Sequence, residues 1–205
     1  MIDFHQLIVS AVHPVRVMDP ARYLQGCIVE SSDSAMEVKD LPEIITAPGE
    51  GCGVFDNPRQ SEIVFFNIDT ALRTAPRKLN SLPSACDFIA VDTASGEFMI
   101  AELTESKTRS LTGDGRNSEG KISKSKRQLC NTIDIINKTG FIYEPSRKSA
   151  IFFFKETDYT PDPAAVMMQA MNQMPVWRVV THHEDAGYAG WTFYSHPYPF
   201  PYRLQ

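Results

Sequence analysis

Between Asn57 and Thr181 the apolar positions switch between helical spacing and short continuous runs. Asn57-Pro58 suits an N-cap and first turn, and Val64, Phe65, Ile68, Ala71 and Leu72 recur at helical spacing up to Pro76. That pattern predicts a helix. Two strand-like runs follow, Ala85 to Val91 and Glu97 to Leu103, joined by Asp92-Thr-Ala-Ser-Gly96, which predicts a hairpin. Residues 106–121 are Ser, Thr, Gly and basic without periodicity, and predict a loop. Ile122, Leu129, Ile133 and Ile136 then share one helical stripe that Gly140 closes. Ala150 to Phe154 reads as a buried strand, Pro163 to Met174 as a helix and Val176 to Thr181 as a strand. Helix, strand, strand, helix, strand, helix, strand implies an α/β fold, a mixed β-sheet flanked by helices.

The two ends are patterned differently. Ile2 to Val12 predicts a short helix ended by Pro14, and Tyr23 to Glu30 a strand. Ser31 to Ser34 and Ala47 to Gly53 are turn chemistry, and no chemistry is assigned to residues 1–60. His196-Pro-Tyr-Pro-Phe-Pro-Tyr202 excludes a helix or a central strand and predicts an extended aromatic segment. The expected organisation is an N-terminal extension (1–56) packed on an α/β core (57–182), followed by an extended tail (183–205).

Composition narrows the classes. The chain has 205 residues, 42% hydrophobic and 22% charged, enough for a real core and unlike a disordered or low-complexity chain. No apolar run nears the roughly 18 residues of a membrane helix, and the N-terminus lacks the pattern of a signal peptide. A cytoplasmic protein without membrane contact is expected. The formal net charge of −5 argues against a general nucleic-acid coat, yet leaves room for a local basic site. Cys27, Cys52, Cys86 and Cys130 form no C-x-x-C pair, so reduced, mostly buried thiols are expected.

The hairpin carries the chemistry. With Thr93 facing Gly96, Val91 lies opposite Phe98, Ile89 opposite Ile100 and Asp87 opposite Glu102. Opposed residues have Cβ atoms roughly 4.5–5.5 Å apart. Two carboxylates so placed repel each other, and a divalent cation between them removes the repulsion. Oxygen-only ligands suit Mg2+ or Mn2+. A slip of one residue would turn the two acids to opposite faces.

Cys86-Asp87-Phe88, a turn, an apolar strand ending at Glu102, and a helix with Gln128-Leu129 near its start resemble the PD-(D/E)XK superfamily of restriction-endonuclease-like nucleases. The resemblance covers roughly Glu62 to Phe154. It implies a restriction-endonuclease-like core with Asp87 and Glu102 as ligands of Mg2+ or Mn2+, aided by the Leu103 carbonyl. Glu62 is then the expected third acid on the preceding helix, with Asp69 behind it, and Gln128 orients water or phosphate. The chain departs from the pattern at Thr104, where lysine is expected. Threonine carries no positive charge. Either Lys107, Lys121 or Lys124 replaces the lysine, or metal suffices, or the site is inactive. Lys107 qualifies only if the strand ends or bulges near Glu105.

The adjoining segment 107–127 holds seven basic residues, Lys107, Arg109, Arg116, Lys121, Lys124, Lys126 and Arg127, against Asp114 and Glu119. Beside the acid pair it suits phosphate contacts, with Arg109, Arg116, Lys124, Lys126 and Arg127 as nucleic-acid ligands and DNA favoured over RNA. His182-His183-Glu184-Asp185 fits a turn better than a metal site, because adjacent strand residues point oppositely. Met167, Met168, Met171 and Met174 read as core or interface filler. Tyr194, Tyr198, Phe200 and Tyr202 suit tail packing or a dimer contact better than base stacking. The expected function is a metal-dependent nuclease, serving restriction, repair or defence against mobile elements. The alternative is a catalytically inactive nuclease-like subunit that binds protein or nucleic acid.

Overall fold

The computed structural model describes residues 26–40, 44–74, 84–107, 110–111, 120–138, 145, 147–158 and 188–204. The predicted helices at 2–12 and 163–174, the strand at 176–181, and His182 to Asp185 lie outside them, as do Arg109 and Arg116. The described residues form a mixed α/β fold with two sheets. The larger contains β1 (Ile28–Ser31), β5 (Ile63–Phe66), β6 (Phe88–Asp92), β7 (Glu97–Ser106), β8 (Arg147–Glu156) and β9 (Thr192–Pro197), in the order β1-β5-β6-β7-β8-β9. Its first four strands are antiparallel, while β7, β8 and β9 run parallel. The smaller sheet has the order β10-β4-β2-β3, from β2 (Ala35–Val38), β3 (Ile45–Thr46), β4 (Gly53–Asp56) and β10 (Tyr202–Arg203).

Strand β7 is central because both its faces are buried as far as Leu103, apolar except for Glu97 and Glu102, and β8 matches it with Ala150 to Phe154. One face packs on helix α1 (Ile68–Thr74) and helix α2 (Lys121–Lys138), through Ile68, Ala71, Ile100, Leu129, Ile133 and Phe152. The other packs on the smaller sheet through Phe55, Met99, Leu103 and Phe153. The layers meet closely: a Cβ at Gly53 would lie 2.5 Å from Phe153 Cγ. The predicted extended tail supplies edge strands to both sheets, the position open to its prolines. Of its aromatics Tyr202 is buried, its ring centroid 5.4 Å from that of Tyr194, while Tyr194, Tyr198 and Phe200 are half-buried.

One predicted element is corrected. The stretch after Asn57 is not a single helix. Asn57 instead closes a turn, its Nδ2 donating to the Ser61 and Asp33 carbonyls, and Gln60 takes a positive φ of 52°. Ile63-Val-Phe-Phe66 then forms β5, because a β-branched and aromatic run needs burial on both faces. The helix begins one element later, where Asn67 Oδ1 accepts the Thr70 N–H at 2.8 Å. No described helix is long and apolar enough to cross a membrane. The four cysteines are free thiols, three buried and Cys130 half-buried.

Candidate active site

The predicted hairpin register is present, with Val91 opposite Phe98 and Ile89 opposite Ile100. The turn forms because Asp92 Oδ1 accepts the Ala94 N–H and Gly96 adopts a φ of 73°. Regular pairing ends at Phe88 and Ala101, and there Asp87 changes role. Its N–H donates to the Ala101 carbonyl, and its Oδ2 accepts the Leu103 N–H at 2.7 Å. The side chain is thereby fixed at the end of the ladder, beside Glu102. Glu102 shares the face of Ile100 by alternation, so it points toward α2.

The two carboxylates meet in a dry place. Glu102 is buried, and its Oε2 has no hydrogen-bond partner among the described residues. Burial, and then the charge of Asp87, push the Glu102 pKa well up, while Lys124 pulls it down. Burial also raises Asp87, against the Leu103 N–H, with Asp40 and Asp69 adding to the rise and Arg73 opposing it. Without a cation, such a pair holds protons more tightly than free carboxylates do.

Helix α2 positions the strand that carries Asp87. Gln128 Nε2 donates to the Ala85 carbonyl at 3.1 Å, and Asn131 Nδ2 to the Ser84 carbonyl at 3.2 Å. Thr132 Oγ1 accepts the Cys86 N–H and donates to the Gln128 carbonyl. Gln128 is therefore engaged through its nitrogen, while its buried Oε1 has no partner among the described residues.

Other predicted residues fall differently. Glu62 does not join the pair. Its carbonyl accepts the Thr93 N–H at the hairpin turn, about 20 Å along β6 from Asp87. The misread helix is the reason: a strand runs the length of the sheet, where a helix would have led Glu62 back. Asp69 is the acid that α1 brings close, its N–H directed at the Asp87 carbonyl at 3.5 Å. Lys107 is also corrected. Strands β7 and β8 pair without interruption from Glu97 and Arg147 to Ser106 and Glu156, so no bulge turns Lys107 toward Glu102. By alternation it follows Leu103 and Glu105 to the opposite face. Of the α2 cations, Lys124 acts on Glu102; Lys121 and Lys126 are half-exposed, and Arg127 is exposed.

Asp40 was missed by sequence reasoning. It follows β2 in a region without a motif, and only its charge on Asp87 and Glu102 connects it to the site. Arg73 was missed as well; it is held by Asp69 at 2.6 Å, one helical turn on. Among the described residues, no three or more His, Cys, Asp or Glu side chains are grouped to hold a metal. The arrangement can present two carboxylates to one cation, with the remaining ligands taken from backbone, water or substrate. No family model, curated protein or solved structure matches the chain.

Proposed function

We propose that the protein is a metal-dependent nuclease that hydrolyses phosphodiester bonds, in DNA before RNA, on a restriction-endonuclease-like core. The observation that carries this reading is the unpartnered, buried Glu102 Oε2 beside Asp87. A buried acid next to another acid costs stability, and a divalent cation offsets that cost. Two carboxylates are enough for Mg2+ or Mn2+, which keep several waters and take further ligands from phosphate. The Leu103 carbonyl is a third candidate ligand, and Asp69 takes the neighbouring place expected of Glu62. When bound, such an ion activates water and stabilises charge on the scissile phosphate. Asp87 and Glu102 orient it; Gln128 and Thr132 hold the Asp87 strand; Lys124 supplies the positive charge that Thr104 lacks. The element order β5, α1, β6, β7, α2, β8 supports the family likeness.

Thr104 favours a second reading, an inactive domain that binds a partner. Strand β7 is unbroken there, so Thr104 shares the face of Glu102 at the place where a lysine is expected. One experiment separates the two: plasmid and oligonucleotide cleavage with Mn2+ or Mg2+, on single- and double-stranded DNA and RNA. Metal-dependent cleavage abolished by D87N and by E102Q supports the nuclease. Metal binding without cleavage of any of these supports the inactive domain, and neither binding nor cleavage overturns the metal site.

A further inference from the structure

We propose that Arg73 is a substrate-phosphate contact, and that a nucleic-acid strand lies across the acid pair with Arg73 on one side and Lys124 on the other. This rests on the nuclease reading. Helices α1 and α2 share one face of the larger sheet, with Ile68 and Ala71 in the same core as Leu129 and Ile133. Between them runs the segment that leads to Asp87. Asp69 approaches it from α1 at the Asp87 carbonyl, and Gln128 from α2 at the Ala85 carbonyl. Lys124 is one turn before Gln128 on the same side of α2, and is exposed.

Arg73 is built as an anchored donor. Its Nε meets Asp69 Oδ2 at 2.6 Å; the Asp69 side chain is only 14% exposed, that of Arg73 73%. One edge of the guanidinium is tied down, while most of its surface faces outward, the form in which arginine receives phosphate oxygens. A pair of this spacing adds only a few tenths of a kcal/mol to a helix when both partners are exposed (~0.3–0.5), and here Asp69 is largely covered and α1 has just seven residues, so the pair serves to hold the guanidinium in place. The two cations stand on different helices, Arg73 near the end of α1 and Lys124 near the start of α2. A single phosphate would meet one of them. A run of phosphodiesters meets both, with the carboxylates between.

Three variants, R73Q, R73K and K124Q, test this through two readouts. The first is Mn2+ binding by calorimetry without nucleic acid. The second is kcat and KM for Mn2+-dependent cleavage of duplex DNA across a salt series. R73Q and K124Q should each bind Mn2+ at least as tightly as the parent, since a nearby positive charge is gone. Each should raise KM about tenfold and make the salt dependence of log(kcat/KM) shallower by about one. R73K should recover most of the salt dependence. If R73Q leaves KM and the salt slope unchanged in an active protein, Arg73 is no contact and this inference alone falls. Loss of Mn2+ binding in R73Q would reduce Arg73 to a support for the acids and overturn it too. A parent that neither binds Mn2+ nor cleaves defeats the nuclease reading itself.

Discussion

Strand β7 buries two glutamates five residues apart, on opposite faces, and treats them differently. Glu97 faces the smaller sheet. Its Oε1 accepts Ser149 Oγ at 2.7 Å and Tyr202 Oη at 2.5 Å, and Arg147 Nε lies 3.4 Å away. Arg147 in turn donates to Tyr194 Oη at 2.6 Å. Glu102 faces the helices and has another acid for a neighbour. Each glutamate keeps one oxygen without a partner among the described residues, so hydrogen bonding alone does not separate them. Charge does. The chain answers Glu97 with its own guanidinium and ties β7, β8 and β10 together there. At the Asp87–Glu102 pair the chain's own cations act only at a distance, Arg73 on Asp87 and Lys124 on Glu102. The first end is architecture; at the second, burial and the neighbouring acid hold both carboxyls protonated above the usual carboxylate range.

The largest expected effect is catalytic. E102Q and D87N should each lower Mn2+-dependent cleavage by roughly a hundredfold or more, whereas E97Q should retain cleavage when assayed below its melting point. If E97Q and E102Q lose activity equally, the two ends of β7 have been wrongly separated. Stability should move in opposite directions. In urea titrations without metal, E97Q should cost about 2 kcal/mol, because Arg147 loses its counter-charge in a partly screened pair and the two hydroxyls lose a charged acceptor for a neutral one. At neutral pH E102Q should add about 1 kcal/mol, because the glutamine sits beside Asp87 without having to take up a proton on folding.

Acid and base should strain different parts of the molecule. The site carboxyls bind their protons more tightly folded than unfolded. Their contribution is therefore fully present below the unfolded values near pH ~4 and is lost as pH rises through the raised folded values. The metal-free protein should lose stability as the medium becomes neutral and then alkaline, and E102Q should flatten that limb. His196, packed between Phe153 and Tyr202 on the other face, behaves in the reverse way. Burial lowers its pKa from 6.5 to about 4. Its contribution, up to ~3 kcal/mol, is present above about 6.5 and lost as pH falls toward 4. H196F should remove that acid limb and leave the alkaline one; melting curves across pH in the two variants test the assignment.

The hairpin was legible because an Asp-to-Gly turn and two apolar runs leave little choice of register, and register alone sets which acids meet. The α2 stripe was legible for the same reason. The segment before α1 misled, because Val64, Phe65, Ile68 and Leu72 satisfy helical spacing while Ile63 to Phe66 also makes a strand buried except at Val64. Periodicity cannot decide a four-residue apolar run; its neighbours β1 and β6 do. The misreading carried Glu62 into the site ahead of Asp69 and hid Arg73, which depends on the helix starting at Ile68. Asp40 was invisible because no local pattern ties the turn after β2 to a strand nearly fifty residues on. The smaller sheet was missed because β2, β3 and β4 are two to four residues long, too short for alternation to show.

The smallest expected effect tests whether alternation along β7 decides which residues serve the site. Glu102 and Lys107 are five positions apart, an odd separation, so an unbroken strand sends them to opposite faces. The ladder to β8 keeps one register up to Ser106 and Glu156, and Lys107 follows directly, exposed, its carbonyl accepting the Ser110 N–H at 2.8 Å. That bond turns the chain only after Lys107, too late to swing the side chain back toward Glu102. K107A should therefore leave kcat within about twofold of the parent, the range for an exposed charge outside the reacting groups. K124Q should not. A K107A protein that binds Mn2+ normally but cleaves a hundredfold more slowly would place the missing cation at the strand end and require a break in β7 near Glu105.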